Sequence, residues 1–504
     1  MKKEFKLQFF LVFLILILLI LLSEKLNKKI DMSNNKIYSI SNYTNELFNS
    51  LDDCASITWF KSKNAIKLLP QLDYLNAILN EYSKKENCNF NIVETEDLSE
   101  NAIIKLGLIP EQIQTGTRDK QIIENIYSSL MIEYKDEAKL IPFVFEINNL
   151  EYTIANTMSN LIQDSIGLTL ERQVYIIAQK EVFNTQYKYV LPFLEYAGYI
   201  PVLIPSNTKD SLNEINSLNT EYPLIVIGSE NISKTLLQKI NNFLQNSGNA
   251  CFFVSGMKID LNGNWVAEPK SDDLIELLAS YGFYIGRDLL LDIFNFNLQM
   301  NSKDGLTSEI INYPFWIRIN RPQIDKDQPL FAAYKTLQTF WPSSLITDNT
   351  IDKTLKPIIH TSNQSTKMIE NFNTDPFLID NNSYAGLKPE KNIIAAISKK
   401  RGKIFVMSDE YFISTAIEYA GADYNLTFMV NIVEWLSDKT QLLKLKNKQT
   451  AIMPFKSFEN KNEYTKIIIY ARILNFILIP AVILSVILIL KIKERKQKNV
   501  QNPH

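Results

Sequence analysis

The sequence predicts an α/β protein whose globular part lies between two apolar segments. Short apolar strands alternate with amphipathic helices over the middle of the 504-residue chain, a pattern typical of βαβ crossovers and a mainly parallel sheet. One unbroken apolar run, Phe9 to Leu22, lies near the start of the sequence, and a longer run, Ile467 to Leu490, lies near its end. These observations predict one transmembrane helix at each end of an α/β protein.

The second apolar run predicts a transmembrane helix over 466–491. Its length suffices for a tilted span, and Arg472 and Asn475 lie near its start, where they can snorkel or face a partner helix. Pro480 lies in the middle, where a neighbouring helix can satisfy the carbonyl that proline leaves free. These three residues are therefore candidates for contact with another membrane protein. The basic tail over 492–504 is expected to stay in the cytoplasm.

The first apolar run predicts a membrane anchor over 1–30. It is short enough for a signal-peptide core, but neither a small-x-small cleavage site nor a lipobox cysteine follows it. Lysines flank it on both sides, so the basic tail at the other end decides the orientation. We expect both termini in the cytoplasm and the globular region on the outer face of a bacterial inner membrane.

Composition excludes several classes of protein. The formal charge of −2 provides no long-range field for nucleic acid. The cysteines Cys54, Cys88 and Cys251 are odd in number and widely spaced, so they do not form a disulfide framework. A single Cys54–Cys88 bond is compatible with the sequence, and free buried thiols are the favoured alternative.

The first globular segment predicts a small α/β domain over 51–170, preceded by a polar stalk over 31–50. Two strands at 57–60 and 90–93 alternate with helices, of which the second, over 98–106, ends at Gly107. A hairpin over 126–145 and a helix over 150–161 follow. The order βαβαββα is that of a thioredoxin-like fold, here without the CxxC motif of redox members.

The second segment predicts a larger parallel-sheet domain over 171–440. Apolar strands are expected at 174–178, 199–204, 224–227 and 251–254, and later ones at 357–362, 393–397 and 403–407. Met429, Ile432, Val433 and Leu436 recur at helical spacing and predict a closing helix. We expect an insertion around 290–350 and a linker over 441–465.

Motifs for catalysis are missing from the sequence. It contains no P-loop, no HExxH and no CxxC, and only two histidines, His360 and His504. Cys251 with His360 as its base is the only nucleophile pair to consider, and it is disfavoured because Cys251 lies inside an apolar strand. We therefore predict no catalytic residues, no metal site and no cofactor.

A ligand-binding cleft is the remaining candidate site. Parallel sheets bind ligands at the carboxyl ends of their strands, and the residues at those ends are Gly228, Ser229, Ser255, Ser408 and Asp409. The alternative is that these small polar residues merely begin loops. The aromatic runs YPFWI (313–317) and FWP (340–342) either bind a partner or a sugar, or pack an insertion onto the core.

The order of several segments resembles a known family. ITWF, LGLIPEQI and LEYTIANTMSNL stand in the first segment, and PLIVIGSENISKTLLQKINNFLQNSGNACFFV, YPFWI, WPSSL, IIHTS, GKIFVMSDEYF and NLTFMVNIVEWLSD follow in the second. A proline-containing span and a basic tail complete the series. In this order the chain resembles the GldG-like auxiliary components of gliding-motility-type ABC transport systems. Ser247 and Gly248 replace a glycine pair that is frequent in that family.

The resemblance implies a membrane-tethered partner of an ABC permease and a separate ABC ATPase. It also implies an amidotransferase-like (flavodoxin-like) second domain without amidotransferase catalysis, and it supplies no catalytic residues. We expect a non-enzymatic auxiliary subunit that couples the permease to a substrate or an envelope component. The alternatives are a membrane-anchored protein that binds a small ligand at Gly228, Ser255 and Asp409, and a surface hydrolase that depends on His360.

Overall fold

The computed structural model describes residues 36–37, 39–117, 120–145, 148–168, 172–206, 218–260, 265–301, 308–378 and 388–448. The predicted transmembrane segments 1–30 and 466–491, with Arg472, Asn475 and Pro480, lie outside these residues. So do most of the predicted linker and the basic tail. Within the described ranges, no helix combines the length and the apolar character that a membrane span requires.

The first part of the chain forms a four-stranded mixed sheet with helices packed against it. Its elements are α1 (Asn42–Asn49), β1 (Ala55–Lys61), α2 (Ala65–Leu68), α3 (Leu72–Tyr82), β2 (Cys88–Glu94), α4 (Glu100–Leu106), β3 (Glu111–Thr117), β4 (Lys120–Ile126), β5 (Ser128–Tyr134), β6 (Glu137–Ile141) and α5 (Leu150–Ser165). The strand order is β2-β1-β5-β6. Strand β1 is parallel to β2 and antiparallel to β5, and β5 is antiparallel to β6.

Local sequence explains the helices that accompany this first sheet. Helix α3 buries Leu72, Leu75 and Leu79 on the face that their spacing predicts. Gly107 ends α4 with a φ of +69°, as expected of a glycine that terminates a helix. The ribbon of β3 and β4 was not predicted. Its strands pair with each other over 111–126 and, within the described residues, with no other strand.

The second part of the chain is built on a larger sheet. In order, its elements are β7 (Gln173–Ala178), α6 (Lys180–Gln186), α7 (Val190–Tyr196), β8 (Ile200–Pro205), β9 (Leu224–Ile227), α8 (Lys234–Gln245), β10 (Ala250–Phe253), β11 (Met257–Ile259), β12 (Ala267–Pro269), α9 (Asp273–Ser280), β13 (Phe283–Ile285), β14 (Leu289–Leu291), β15 (Asn295–Asn301), β16 (Ser308–Ile319), β17 (Leu337–Gln338), β18 (Leu345–Thr347), β19 (Lys356–His360), β20 (Thr366–Met368), β21 (Ile393–Ser398), β22 (Ile404–Met407), α10 (Ala416–Ala420), α11 (Tyr424–Leu436) and α12 (Thr440–Leu445).

Five strands of the larger sheet are parallel, in the order β8-β7-β9-β10-β22. The sheet continues with β21, β18 and β13, and β19 pairs with β21; all four of these pairings are antiparallel. The prediction of a mainly parallel sheet therefore holds for only part of it. Strand β21 runs opposite to β22 because residues 399–403 join them, and so short a connection cannot return a chain to a parallel start.

The aromatic runs belong to the core. Tyr313, Trp316, Phe340 and Trp341 are buried. The rings of Trp316 and Phe340 meet edge to face with centroids 4.8 Å apart, and Trp341 donates a hydrogen bond from Nε1 to Tyr313 Oη at 2.8 Å. These contacts join the segment that carries β15, β16 and β17 to the rest of the fold. Of the two interpretations of the sequence, packing is the correct one.

A buried polar network connects the two sheets. Helix α11 forms as its apolar spacing predicts, and α12 continues into the predicted linker because Leu442, Leu443 and Leu445 pack inward. The next residue, Lys446, donates hydrogen bonds from Nζ to Glu434 Oε2 at 2.8 Å and to Asn431 Oδ1 at 2.7 Å.

The same network also reaches α1. Lys448 Nζ contacts Glu151 Oε2 at 2.5 Å and the carbonyl oxygen of Ser39 at 2.7 Å. The second oxygen of Glu151 accepts hydrogen bonds from Ser41 N and Thr44 Oγ1, which lie at the start of α1.

We call Glu151, Tyr152, Glu434, Lys446 and Lys448 the junction cluster. Tyr152 donates a hydrogen bond to Glu434 Oε1, and the Lys446 ammonium lies 4.3 Å from the centroid of the Tyr152 ring. Glu434 is 1% exposed at its side chain and Lys446 is 7% exposed, so each depends on the other for its compensating charge. The cluster therefore links α1, α5, α11 and the end of α12.

Replacing Lys446 by methionine should strongly destabilise the protein. The variant removes the cation that is hydrogen-bonded to the buried Glu434 carboxylate, and loss of one partner of a buried pair costs about 3–5 kcal/mol. Thermal and denaturant unfolding of the full chain in detergent measures the effect. Lys444→Met on the exposed side of α12 is the control and should change stability by less than about 0.5 kcal/mol.

The double variant Lys446→Met/Glu434→Gln separates charge burial from packing. It should regain part of the stability that Lys446→Met loses, because a neutral amide remains where the unpaired carboxylate stood. Equal unfolding midpoints for Lys446→Met and Lys444→Met would contradict this account of the junction cluster.

Candidate functional site

A cavity of about 530 Å³ opens at the carboxyl ends of the parallel strands. Gln179, Gly228, Lys270 and Glu410 are among the residues that line it, and we call it the switch-point cavity. From β7 the chain passes to β8 on one side, and β9 then lies on the other side of β7. Such a reversal of strand order is where open α/β sheets bind their ligands.

Gly228 lies in the lining of this cavity, at the end of β9. Its φ is +71°, and its backbone N–H donates to the carbonyl of Phe253 at 2.9 Å. A Cβ atom at this position would lie 3.7 Å from Glu410 Oε2, which is an ordinary van der Waals distance. The left-handed backbone conformation is therefore what favours glycine here.

A buried ion pair forms one wall of the cavity. Lys270 Nζ lies 2.6 Å and 2.7 Å from the two carboxylate oxygens of Glu410, and both residues are more than nine-tenths buried. The backbone positions Glu410, whose N–H donates to Ser255 Oγ at 2.9 Å and whose carbonyl accepts a hydrogen bond from Tyr187 at 3.1 Å. The pair is therefore held rigidly at the cavity wall.

Further charges surround the opening. Lys258 Nζ pairs with Glu230 at 3.0 Å, and this hydrogen bond raises the pKa of the lysine. Asp260 and Glu268 are exposed carboxylates in the cavity lining. Counted together, the lining contains four carboxylates against the two ammonium groups of Lys258 and Lys270. The four carboxylates and two ammonium groups give the lining a formal charge of −2.

The structure separates the five residues of the predicted cleft. Gly228 lines the cavity, whereas Ser229 is buried and donates from its hydroxyl to Asp272. Ser255 is buried beneath Glu410. Ligand contact by these five residues stays a prediction, and the structure shows that most of their polar side chains form hydrogen bonds inside the protein.

Ser408 and Asp409 show the same use of polar side chains. The Ser408 hydroxyl donates to the Ser343 carbonyl at 2.6 Å, and Asp409 accepts from the backbone N–H groups of Phe340 at 2.7 Å and Tyr411 at 2.9 Å. Burial raises the pKa of Asp409 well above its usual range. Both residues fasten the end of β22 to the neighbouring loop.

The charged lining was missed by the sequence analysis. Glu410 directly follows a predicted strand end, which is a signal that could have identified it. Lys258, Lys270 and Glu230 lie in loops or at an edge strand, and no motif or spacing distinguishes them from ordinary surface charges.

The disfavoured nucleophile pair is not assembled. Cys251 is fully buried in the middle of β10, where burial raises the pKa of its thiol well above the usual range. His360 lies at the end of β19, and β22 and β21 stand between the two strands in the sheet. Among the described residues, no group of three or more His, Cys, Asp or Glu side chains has the arrangement to hold a metal ion.

The fold and the cavity define an α/β protein with a charged, ligand-sized cavity at a topological switch point. A family model described as an ABC-type uncharacterized transport system matches residues 171–432, more than half of the chain. The chain belongs to this family. A second model, described as a domain of unknown function, matches residues 34–133. An uncharacterized protein of Borreliella burgdorferi is similar at 25% identity over 494 residues, covering 93% of this chain and 94% of the relative.

Thiol accessibility checks the placement of the cysteines. All three are free, and Cys54 alone among them is exposed. Burial raises the pKa of Cys88 to about 12, so neither buried thiol provides thiolate near neutral pH. Maleimide treatment of the native full chain should modify Cys54, and all three cysteines should react in denaturant.

Mass spectrometry of the digested protein identifies the modified residues. Cys54→Ser is the matched control and should leave the native protein unlabelled. Fast modification of Cys251 in the native state would show that this thiol is accessible and would reopen the nucleophile hypothesis.

Proposed function

We propose that this protein is a non-catalytic, membrane-tethered auxiliary subunit of an ABC transport system. The family match over 171–432 is the observation that carries the proposal. In this proposal a permease and a separate ATPase are its partners, because the sequence has no P-loop with which to use ATP itself. The order of its segments favours the GldG-like, gliding-motility-type branch.

The proposed role is to couple the permease to a substrate or an envelope component outside the cytoplasm. A thioredoxin-like first domain and an amidotransferase-like second domain would form the extracytoplasmic region of a bacterial inner-membrane protein. In this proposal both domains provide binding surfaces and mechanical coupling, and neither catalyses a reaction. Both termini would lie in the cytoplasm.

The junction cluster supports the two-anchor arrangement. Lys448, which precedes the second apolar run, donates a hydrogen bond to Ser39, which follows the first run. The stretches that lead to the two proposed anchors therefore begin side by side. Two spans that leave one place on the globular region can enter the membrane together and present one surface to a permease.

A second function is favoured by the switch-point cavity. Its volume of about 530 Å³ lies within the range of about 300–1,000 Å³ that small-molecule sites occupy. As the alternative, we propose a membrane-anchored extracytoplasmic protein that binds a small ligand at this cavity. The two functions are compatible, because a subunit that recruits cargo to a permease must recognise that cargo.

Co-purification tests the main proposal. The tagged full chain, extracted from its native membrane in mild detergent, should recover an ABC permease and an ABC ATPase. Asn475→Leu combined with Pro480→Ala should lower that recovery, because both residues are proposed to contact the permease. Ile483→Leu in the same span is the matched control and should retain both partners. Repeated purifications that contain neither partner would contradict the proposal.

Membrane topology is a separate prediction. Protease added outside intact spheroplasts should digest the region 36–448, while an epitope placed within 492–504 should become accessible only after permeabilisation. An endogenous soluble cytoplasmic enzyme is the control, and it should stay undigested as long as the spheroplasts are intact. Protection of 36–448 in intact spheroplasts would show that the orientation is wrong.

A further inference from the structure

We propose that the switch-point cavity binds a small organic cation, a molecule that carries ammonium or guanidinium groups. This inference rests on the second function proposed above and specifies its ligand class. It starts from the cavity at the strand reversal, whose lining is charged rather than apolar. A polar ligand fits such a lining, because an apolar molecule would displace water from charged groups without replacing their hydrogen bonds.

The lysines of the cavity are already paired. Lys270 contacts both oxygens of Glu410, and Lys258 contacts Glu230. An anionic ligand would have to compete with these carboxylates for their ammonium groups. A negatively charged molecule would also meet the repulsion of the surrounding acidic groups, so an anion is the less suitable occupant.

Two carboxylates remain to attract a cation. Asp260 and Glu268 line the cavity and are exposed, and among the described residues no lysine, arginine or histidine nitrogen lies within 4.0 Å of either carboxylate. Glu268 is the cross-strand neighbour of Lys258, so Glu268 shares that lysine's field with Glu230. Glu410 contributes a third carboxylate to the lining, and this one is already paired with Lys270. A molecule that places one cationic group near Glu410 and another near Glu268 would use both the inner wall and the rim.

A single metal ion is a poorer occupant than an extended cation. The acidic side chains of the described lining are not grouped closely enough to provide three ligands to one ion. Separated carboxylates instead suit charges that are distributed along a flexible molecule. Basic amino acids and polyamines have this form, and their methylene chains can lie against Val182 and Ile259 between the polar groups.

Titration of the purified full chain in detergent tests the inference. The probes are spermidine and L-arginine, with succinate and glucose as an anionic and a neutral comparison. Isothermal titration and the melting temperature should show saturable binding of at least one cation at low ionic strength. Binding should weaken as salt is added, because exposed charge pairs are screened.

Two variants locate the binding. Asp260→Asn combined with Glu268→Gln should weaken cation binding by about tenfold or more, whereas Asp273→Asn combined with Glu276→Gln, at two exposed positions on α9, is the charge-matched control. Gln186→Trp should fill the cavity and abolish binding, and Asn184→Trp on the outer side of α6 should not. The melting temperature of each ligand-free variant verifies that it is folded.

Each outcome decides the inference. Saturable cation binding that responds to both sets of variants supports it. No saturable binding by either cation, preferential binding of succinate, or cation binding that ignores both the carboxylate and the tryptophan variants overturns it. Co-purification of the permease and ATPase is a separate measurement. A titration without cation binding therefore does not contradict the proposed transport role. A purification without either partner does not contradict cation binding, which the titration decides.

Discussion

The junction cluster, with Glu434 buried at its centre, is the constraint on which the arrangement of the two sheets depends. A carboxylate with 1% of its side chain exposed requires a compensating cation, and Lys446 supplies it from just beyond α12. That requirement fixes the end of α12 against α11, and Tyr152 of α5 completes the hydrogen bonds. Apolar contacts of Ala155, Leu442 and Leu445 reinforce the same place. The Glu434–Lys446 pair belongs to the second part of the chain, and Tyr152 and the Lys448–Glu151 pair attach the first sheet to it.

The parallel strands use their polar ends in two different ways. At β10 and β22, Ser255, Ser408 and Asp409 turn inward and satisfy backbone groups, so these ends are closed. At β7 and β9 the chain reverses its strand order, and the residue after β9 is Gly228, so this end stays open. The cavity therefore lies at the reversal of strand order, beside Gly228, which has no side chain.

Sequence patterns predicted what depends on local periodicity. The inner faces of α3, α8 and α11 follow directly from their apolar spacing, as does the glycine end of α4. The direction of β21 could not be predicted in this way. This strand is as apolar as the five parallel strands, and only its short connection to β22 makes it antiparallel. The β3–β4 ribbon was missed because its residues are mostly polar. The charged cavity was missed because Lys270 and Glu410 are 140 residues apart, and spacing carries no signal for such a pair.

The distribution of charge distinguishes the classes of function that the sequence left open. Hydrolysis needs an activated nucleophile at a surface, and the thiol best placed in the sheet, Cys251, is instead part of its core with a raised pKa. Two of the buried ion pairs are Glu434–Lys446 in the junction cluster and Glu410–Lys270 at the cavity wall. Paired charges of this kind hold elements together and form a rigid polar wall beside the cavity. This arrangement agrees with the binding and coupling roles proposed above.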